Sequence, residues 1–151
     1  MTLVQQLMWG SLYLFACLLI ETAILIWGMS YVGRVSRNLE HSKSRLLRSA
    51  VLLTTLAFIL VAHTVQVWIW ALAFVVTTAL PDWNTAIYFS LVSYTSLGYG
   101  DVVLGPGLRI FGGFAAITGL LGFGISTGLL VAIMNRILST SANFQGKNRE
   151  D

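Results

Sequence analysis

The chain has few charged residues, and this scarcity excludes an ordinary soluble domain. Only 10% of its 151 residues are charged, whereas 56% are hydrophobic; soluble globular proteins have about 25% charged residues. The single cysteine, Cys17, excludes an intrachain disulfide and a cysteine metal cluster. The composition therefore predicts a membrane protein.

Other missing features exclude further classes of function. No apolar run carries basic residues at every third position, so we expect no charge-bearing voltage sensor. The tail after Leu138 is too short for a ligand-binding domain, and no soluble domain accompanies the basic residues, so we expect no nucleic-acid partner. We also expect no enzyme activity and no cofactor.

Three long apolar runs are present instead, over residues 7–29, 50–80 and 108–138. Each reaches the roughly 20 residues that a helix needs to span a bilayer. They predict an all-α membrane protein with three transmembrane helices, the first within residues 1–32. Residues 82–107 contain too short an apolar stretch to span, and we expect them to form a re-entrant loop.

The distribution of positive charge predicts the orientation in the membrane. Residues 33–48 contain five of the nine basic residues: Arg34, Arg37, Lys43, Arg45 and Arg48. Basic residues mark cytoplasmic connections, although anionic-lipid binding or a gating contact stays open for this loop. The N-terminus is then outside, the re-entrant loop opens from the outside, and residues 139–151 form a short cytoplasmic tail.

The re-entrant loop has its own internal pattern. Pro81 ends the second apolar run and Asp82 can cap a short helix over residues 83–95. A polar, glycine-rich heptapeptide follows, running from Thr95 to Asp101. Its two glycines, Gly98 and Gly100, enter the left-handed backbone region without steric cost, so consecutive carbonyls can turn toward one axis.

This heptapeptide resembles the selectivity filter of potassium channels, TVGYGD, with Ser96 and Leu97 in place of threonine and valine. The resemblance extends over residues 49–138: outer helix 49–80, pore helix 83–95, filter 96–101 and inner helix 107–138. The first helix, within 1–32, lies outside it as an additional transmembrane helix. The resemblance implies a homotetramer, because one chain supplies one loop and the cage needs four.

The resemblance also implies a site for potassium as the permeant ion. The ion-binding residues would be Ser96, Leu97, Gly98, Tyr99 and Gly100, with K⁺ held at Ser96, Leu97, Gly98 and Tyr99. Their oxygens would replace the hydration shell of the ion, and no side-chain charge is required. Four residues would support the filter: Thr95, Asp101 and the aromatic pair Tyr88 and Phe89. Val92 stands where many prokaryotic members have a glutamate behind the filter.

Six glycines in the third apolar run are too many for a helix selected for local stability, because each costs up to about 1 kcal/mol relative to alanine. Close packing through small residues is one explanation, and a gating bend is the other. Gly119 falls where the inner-helix hinge glycine of potassium channels falls, and Gly124 follows in a matching pattern. These two are the hinge candidates.

Glu21 lies within the first apolar run, where an ionised side chain costs several kcal/mol unless it is paired, protonated or near the interface. His63 and Gln66 are partners for it by depth alone. Glu21 and His63 are therefore candidates for a proton-sensitive contact, with a satisfied structural pair as the alternative.

The sequence thus predicts a homotetrameric potassium channel that conducts passively in membrane lipid. Small size and missing sensors favour a prokaryotic plasma membrane. A weakly selective cation channel, or a non-conducting subunit that assembles with others, stays open, as does an accessory subunit. Residues 98–101 also satisfy the GxGD pattern of intramembrane aspartyl proteases, but that chemistry needs two carboxylates, and Glu21 is the only other acid within a spanning run.

Overall fold

The fold is described by a computed structural model that covers residues 1–38 and 45–147. Four helices follow one another: α1 (Leu3–Asn38), α2 (Arg45–Val76), α3 (Trp83–Tyr94) and α4 (Arg109–Lys147). No strand occurs in these two ranges, which confirms the all-α prediction. The centre of the predicted basic loop, 39–44, and the end of the predicted tail, 148–151, lie outside the described residues.

Three of the helices are long and apolar enough to cross a membrane. The candidate spans are Leu3–Arg34, Ser49–Val76 and Arg109–Asn135. With 12 residues, α3 is too short, because a spanning helix needs about 20. The chain is therefore a multi-pass membrane protein in which a short helix lies between the second and third spans.

The helix ends differ from the predicted boundaries in instructive ways. Helix α2 ends at Val76 rather than at residue 80, because Thr78 adopts a left-handed φ of 52°. The Ala79 N–H then donates to the Phe74 carbonyl at 2.9 Å, and the Thr78 N–H donates to the Val75 carbonyl at 2.9 Å. This pair of bonds is a Schellman cap.

The first and last helices are longer than predicted. Helix α1 continues past residue 32 to Asn38, and α4 runs from Arg109 to Lys147 rather than over 107–138. Hydropathy predicts where a segment leaves the membrane interior, whereas a helix continues until a residue such as glycine or proline interrupts its backbone. Residues 129–145 contain neither glycine nor proline, so nothing in the sequence stops α4 at the membrane boundary.

Helix α1 packs along both α2 and α4. Its buried residues recur at three- to seven-residue spacing on one face: Gln6, Gly10, Cys17, Glu21, Leu25 and Gly28. A Cβ at Gly10 would overlap the Phe114 ring, and one at Gly28 would lie 2.6 Å from Phe58 Cγ. The two glycines therefore let α1 approach α4 and α2 closely, as small residues do in membrane helix packing.

An aromatic cluster joins the three spans near the start of α4. Phe111 packs against Tyr13 of α1, with ring centroids 5.7 Å apart, and against Trp70 of α2 at 5.4 Å. The Trp70 ring is fully buried and also contacts Phe74. Buried aromatic pairs of this kind stabilise by about 0.5–1.5 kcal/mol beyond their area, so the cluster fixes α1 and α2 against the inner helix.

Candidate functional site

The short helix α3 lies directly before the heptapeptide. Asp82 caps it as expected: Oδ1 accepts from the Thr85 N–H at 2.9 Å, and Oδ2 accepts from the Thr85 hydroxyl at 2.7 Å. These bonds lower the pKa of Asp82. In the second half of the helix, the buried Ser90 hydroxyl donates to the Val67 carbonyl of α2 at 2.7 Å. The helix is thus capped at its N-terminus and bonded to α2 before the irregular segment begins.

The backbone of the heptapeptide alternates in handedness. Ser96, Gly98 and Gly100 have φ angles of 57°, 55° and 78°, whereas Leu97 and Tyr99 between them do not have positive φ. Such alternation collects successive N–H groups on one side of the chain, and therefore the carbonyls on the other. Ser96 adopts this region despite its Cβ, which costs roughly 1–2 kcal/mol and marks the segment as one held by its surroundings.

The hydrogen bonds of the segment agree with this arrangement. The Ser96 N–H donates to the Ser93 carbonyl at 2.9 Å, and the N–H groups of Leu97 and Gly98 donate to the Val92 carbonyl at 2.9 and 3.3 Å. The N–H groups are therefore turned back onto the end of α3. Within residues 1–38 and 45–147, the carbonyl oxygens of residues 96–99 accept no hydrogen bond.

These residues lie at the surface of the subunit. Thr95 through Asp101 are all exposed, with Leu97 at 55% and Tyr99 at 67%. Irregular backbone at membrane depth is stable only when protein buries it or when it lines a watery path. In the part of the chain that the structure describes, no group of three or more His, Cys, Asp or Glu residues could hold a metal ion. The unpaired backbone carbonyls of residues 96–99 are oxygen ligands that a cation can use.

Asp101, at the end of the segment, has a specific partner. The Tyr88 hydroxyl of α3 donates to its Oδ2 at 2.5 Å, a distance typical of a charge-assisted bond. The bond lowers the pKa of the Asp101 carboxyl and raises the pKa of Tyr88. Val92 is buried, and its apolar side chain offers Asp101 no hydrogen bond. The bond between the short helix and Asp101 is made by Tyr88, one helical turn earlier.

The other predicted support residues lie nearby. Phe89 packs edge-on against Phe74 of α2, with ring centroids 5.1 Å apart. The Thr95 hydroxyl donates to the Leu91 carbonyl at 2.8 Å, which leaves it bonded to its own helix.

A second polar group lies inside the subunit, around Glu21. Its side chain is fully buried; Oε2 accepts from Gln66 Nε2 at 2.8 Å, and Oε1 accepts from the Ser126 hydroxyl at 3.0 Å. The Gln66 Oε1 atom in turn accepts from the Tyr94 hydroxyl at 3.2 Å, and His63 Nδ1 lies 2.7 Å from that hydroxyl oxygen. Glu21 and His63 are thus linked through Gln66 and Tyr94 rather than in direct contact.

The two hinge candidates have different surroundings. A Cβ at Gly119 would overlap the carbonyl oxygen of Tyr94, the last residue of α3, whereas a Cβ at Gly124 would meet nothing within 4 Å. Gly119 therefore permits a close approach of the inner helix to the short helix, which is the packing explanation. No such contact among the described residues accounts for Gly124.

Three buried residues with polar contacts escaped the sequence-based reasoning. Gln6 is buried, and its Oε1 accepts from the N–H groups of Ile110 and Phe111 at 3.1 and 3.4 Å, capping the start of α4. Ser126 and Tyr94 bond within the Glu21 group. A weak signal was available, because a polar atom inside an apolar run needs a partner, but the partner depends on how the helices are rotated against each other.

The architecture defines a class: a multi-pass membrane protein in which a capped short helix presents unpaired backbone carbonyls between two spans. The scan against family models matches residues 50–136 to the family described as "Ion channel". That match covers most of α2, all of α3 and most of α4, more than half of the chain, and the chain belongs to this ion-channel family. The comparisons with curated proteins and with solved structures gave no match.

Proposed function

We propose that the chain is the subunit of a homotetrameric channel that conducts K⁺ passively down its electrochemical gradient. The observation that carries the proposal is the alternating backbone at Ser96, Gly98 and Gly100, with N–H groups bonded to α3 and carbonyls left unpaired. Carbonyl oxygens in such a row can replace the water around a cation without any net charge on the protein.

The short helix adds to the attraction for a cation. Its N-terminus is capped by Asp82 and its C-terminus leads into Thr95 and Ser96. Helix carbonyls give the C-terminus a partial negative charge of about half an elementary charge. Four such helices around one axis would aim these ends at a central cavity and favour a cation there.

The need for several subunits follows from the exposure of the segment. Residues 95–101 are exposed on the single subunit, and such backbone needs protein or a watery path around it. One chain supplies one loop, so a closed ring is cyclic. We further propose a plasma membrane of a prokaryotic cell as the location, with the N-terminus outside and the C-terminus in the cytoplasm. Membrane lipid would surround the ring, and an accessory subunit is a further candidate partner.

One observation favours a second candidate, a weakly selective cation channel. Ser96 lacks the methyl group that stiffens a threonine side chain, and Leu97 is a flexible, 55% exposed side chain. A less rigid innermost site would discriminate less sharply between K⁺ and Na⁺. The reversal potential with K⁺ on one side and Na⁺ on the other separates the two candidates: a value near zero contradicts potassium selectivity.

The first test is flux from liposomes that hold the purified protein and a potassium gradient. We expect K⁺ flux without valinomycin, its block by barium, and its loss in Gly98→Ala. Gly105→Ala is the matched control, because a Cβ at either glycine meets nothing within 4 Å and only Gly98 has a positive φ. Flux that survives Gly98→Ala, or equal losses in both variants, would contradict a conducting role for this backbone.

A further inference from the structure

The Glu21 group links all four helices at one point. It consists of Glu21 from α1, His63 and Gln66 from α2, Tyr94 from α3 and Ser126 from α4, and is called the polar relay below. Four of the five side chains are buried, with exposed fractions of 4% or less, and His63 is half-buried. Polar groups inside a membrane protein are costly unless they are paired, so each member of the relay depends on its partners in the other helices.

The single proton of the Tyr94 hydroxyl determines which group donates in each hydrogen bond of the relay. The Tyr94 hydroxyl has one proton and two neighbours, His63 Nδ1 at 2.7 Å and Gln66 Oε1 at 3.2 Å. Both contacts are hydrogen bonds only if His63 donates from Nδ1 and Tyr94 donates to Gln66. Gln66 then donates its amide N–H to Glu21. Every donor in the chain points toward the Glu21 carboxyl, an order in which neighbouring bonds polarise one another.

The relay lies beside the proposed filter at Tyr94, one of its middle members. Tyr94 is the last residue of α3, and Thr95 and Ser96 follow it directly. On its other side, the Tyr94 carbonyl lies against Gly119, and a Cβ at Gly122 would lie 2.7 Å from Glu21 Oε2 and 3.1 Å from the Tyr94 hydroxyl. Helices α4 and α1 therefore meet at Tyr94, the residue that precedes the heptapeptide.

We propose that Glu21 and Tyr94 are positioning residues of the pore: the relay fixes the inner end of the filter, and its protonation regulates conduction. This rests on the proposed channel function. Adding a proton to Glu21 removes the charge that Gln66 and Ser126 face, and a second proton on His63 places a cation at the opposite end of the relay.

Few titratable groups face Glu21. The titratable side chains that face Glu21 in the described residues are Cys17 on its own helix, His63 on α2 and Tyr94 on α3. From α4 the facing groups are Ser126 and Gly122, which do not titrate. A pH effect that passes through Glu21 is therefore separable by variants of these few residues.

The direction of the relay is testable without any conduction. The chain has two histidines, His41 and His63, so ¹⁵N-histidine NMR of the full-length His41→Gln variant reports on His63 alone. We expect the proton on Nδ1 near neutral pH, and a change in the Nδ1 resonance in Tyr94→Phe. A proton on Nε2, or an Nδ1 resonance that is the same in Tyr94→Phe, would overturn the relay even if the channel conducts.

The functional arm compares Glu21→Gln, Tyr94→Phe and the double variant in liposomes, with two readouts: the K⁺-to-Na⁺ permeability ratio and the pH profile of flux. We expect each single variant to change the ratio by roughly threefold to tenfold, the change that corresponds to one net hydrogen bond. We also expect Glu21→Gln to shift the pH profile of flux. In the double variant, the fold-change in the permeability ratio should be smaller than the product of the two single fold-changes.

The control is Thr22→Val. Thr22 is the exposed neighbour of Glu21, and its hydroxyl donates to the Leu18 carbonyl of the same helix at 2.8 Å. It should leave both readouts unchanged. Loss of oligomer stability in Glu21→Gln with an unaltered ratio and pH profile would overturn the proposal in favour of a structural role, as would independent effects in the double variant. No flux in the wild type would instead overturn the channel function, and the NMR result would still stand.

Discussion

The carbonyl oxygen of Tyr94 occupies the space that a Cβ at Gly119 would need. The neighbour here is backbone at the end of α3, not the tip of a flexible side chain, so it cannot move without moving the residues that follow it. Helix α4 and the end of α3, from which the heptapeptide continues, are therefore in close contact at this point.

Gly119→Ala should therefore displace α3 from α4. We expect it to lower the free energy of unfolding by about 1–3 kcal/mol, as overpacking does, and to abolish ion flux. Both are measured on the purified protein, by thermal unfolding in detergent and by liposome flux. Gly113→Ala is the control on the same helix, because a Cβ there meets nothing within 4 Å. Normal flux in Gly119→Ala would show that this contact is not needed.

Gly124→Ala distinguishes a hinge from a packing contact. A Cβ at Gly124 meets nothing within 4 Å in the described part of the chain, so alanine should stabilise α4 by up to about 1 kcal/mol through helix propensity. If the inner helix bends at this residue, we expect the open probability in single-channel recordings to change several-fold although stability is not reduced. An open probability equal to that of the wild type would remove Gly124 from the hinge candidates.

Gln6→Ala should uncouple the first helix from the inner helix. The buried Gln6 Oε1 caps two N–H groups of α4, those of Ile110 and Phe111. Loss of a cap costs about 0.5–2 kcal/mol, which thermal unfolding should detect. The control is Gln5→Ala, since Gln5 is exposed and its side chain accepts a bond from the Thr2 N–H at the same helix terminus. Equal losses in the two variants would contradict the cap.

The sequence sufficed for the features that depend on local chemistry. The three spans follow from hydropathy, and the capped short helix follows from Pro81 and Asp82, because a cap is made within one turn. The relay could not be derived in the same way. Whether Glu21 meets His63, Gln66 or Ser126 depends on the rotation of three helices about their axes, and the apolar runs specify that rotation only weakly when nearly every face is apolar.

The bond between Tyr88 and Asp101 predicts how the pore responds to acid. The Tyr88 hydroxyl stabilises the ionised form of Asp101 and so lowers the pKa of its carboxyl. A group whose pKa is lower in the folded state stabilises the fold at pH values above its unfolded pKa, which is about 3.9 for aspartate. This contribution is lost as the pH falls through the folded pKa. The pKa of Tyr88 is raised by the same bond, so its contribution is lost only as the pH rises through that raised value.

Tyr88→Phe should therefore move the acid limb of the flux profile to higher pH, because Asp101 then takes up its proton nearer to its ordinary pKa. The measurement is K⁺ flux from liposomes as the external pH is lowered, beside the wild type. Tyr31→Phe is the control: Tyr31 is an exposed tyrosine of α1 whose described contact is an aromatic one with Phe58. An acid limb at the same pH in Tyr88→Phe and the wild type would mean that the charge of Asp101 does not govern conduction. A shift in both tyrosine variants would point to a general effect of losing a hydroxyl rather than to this bond.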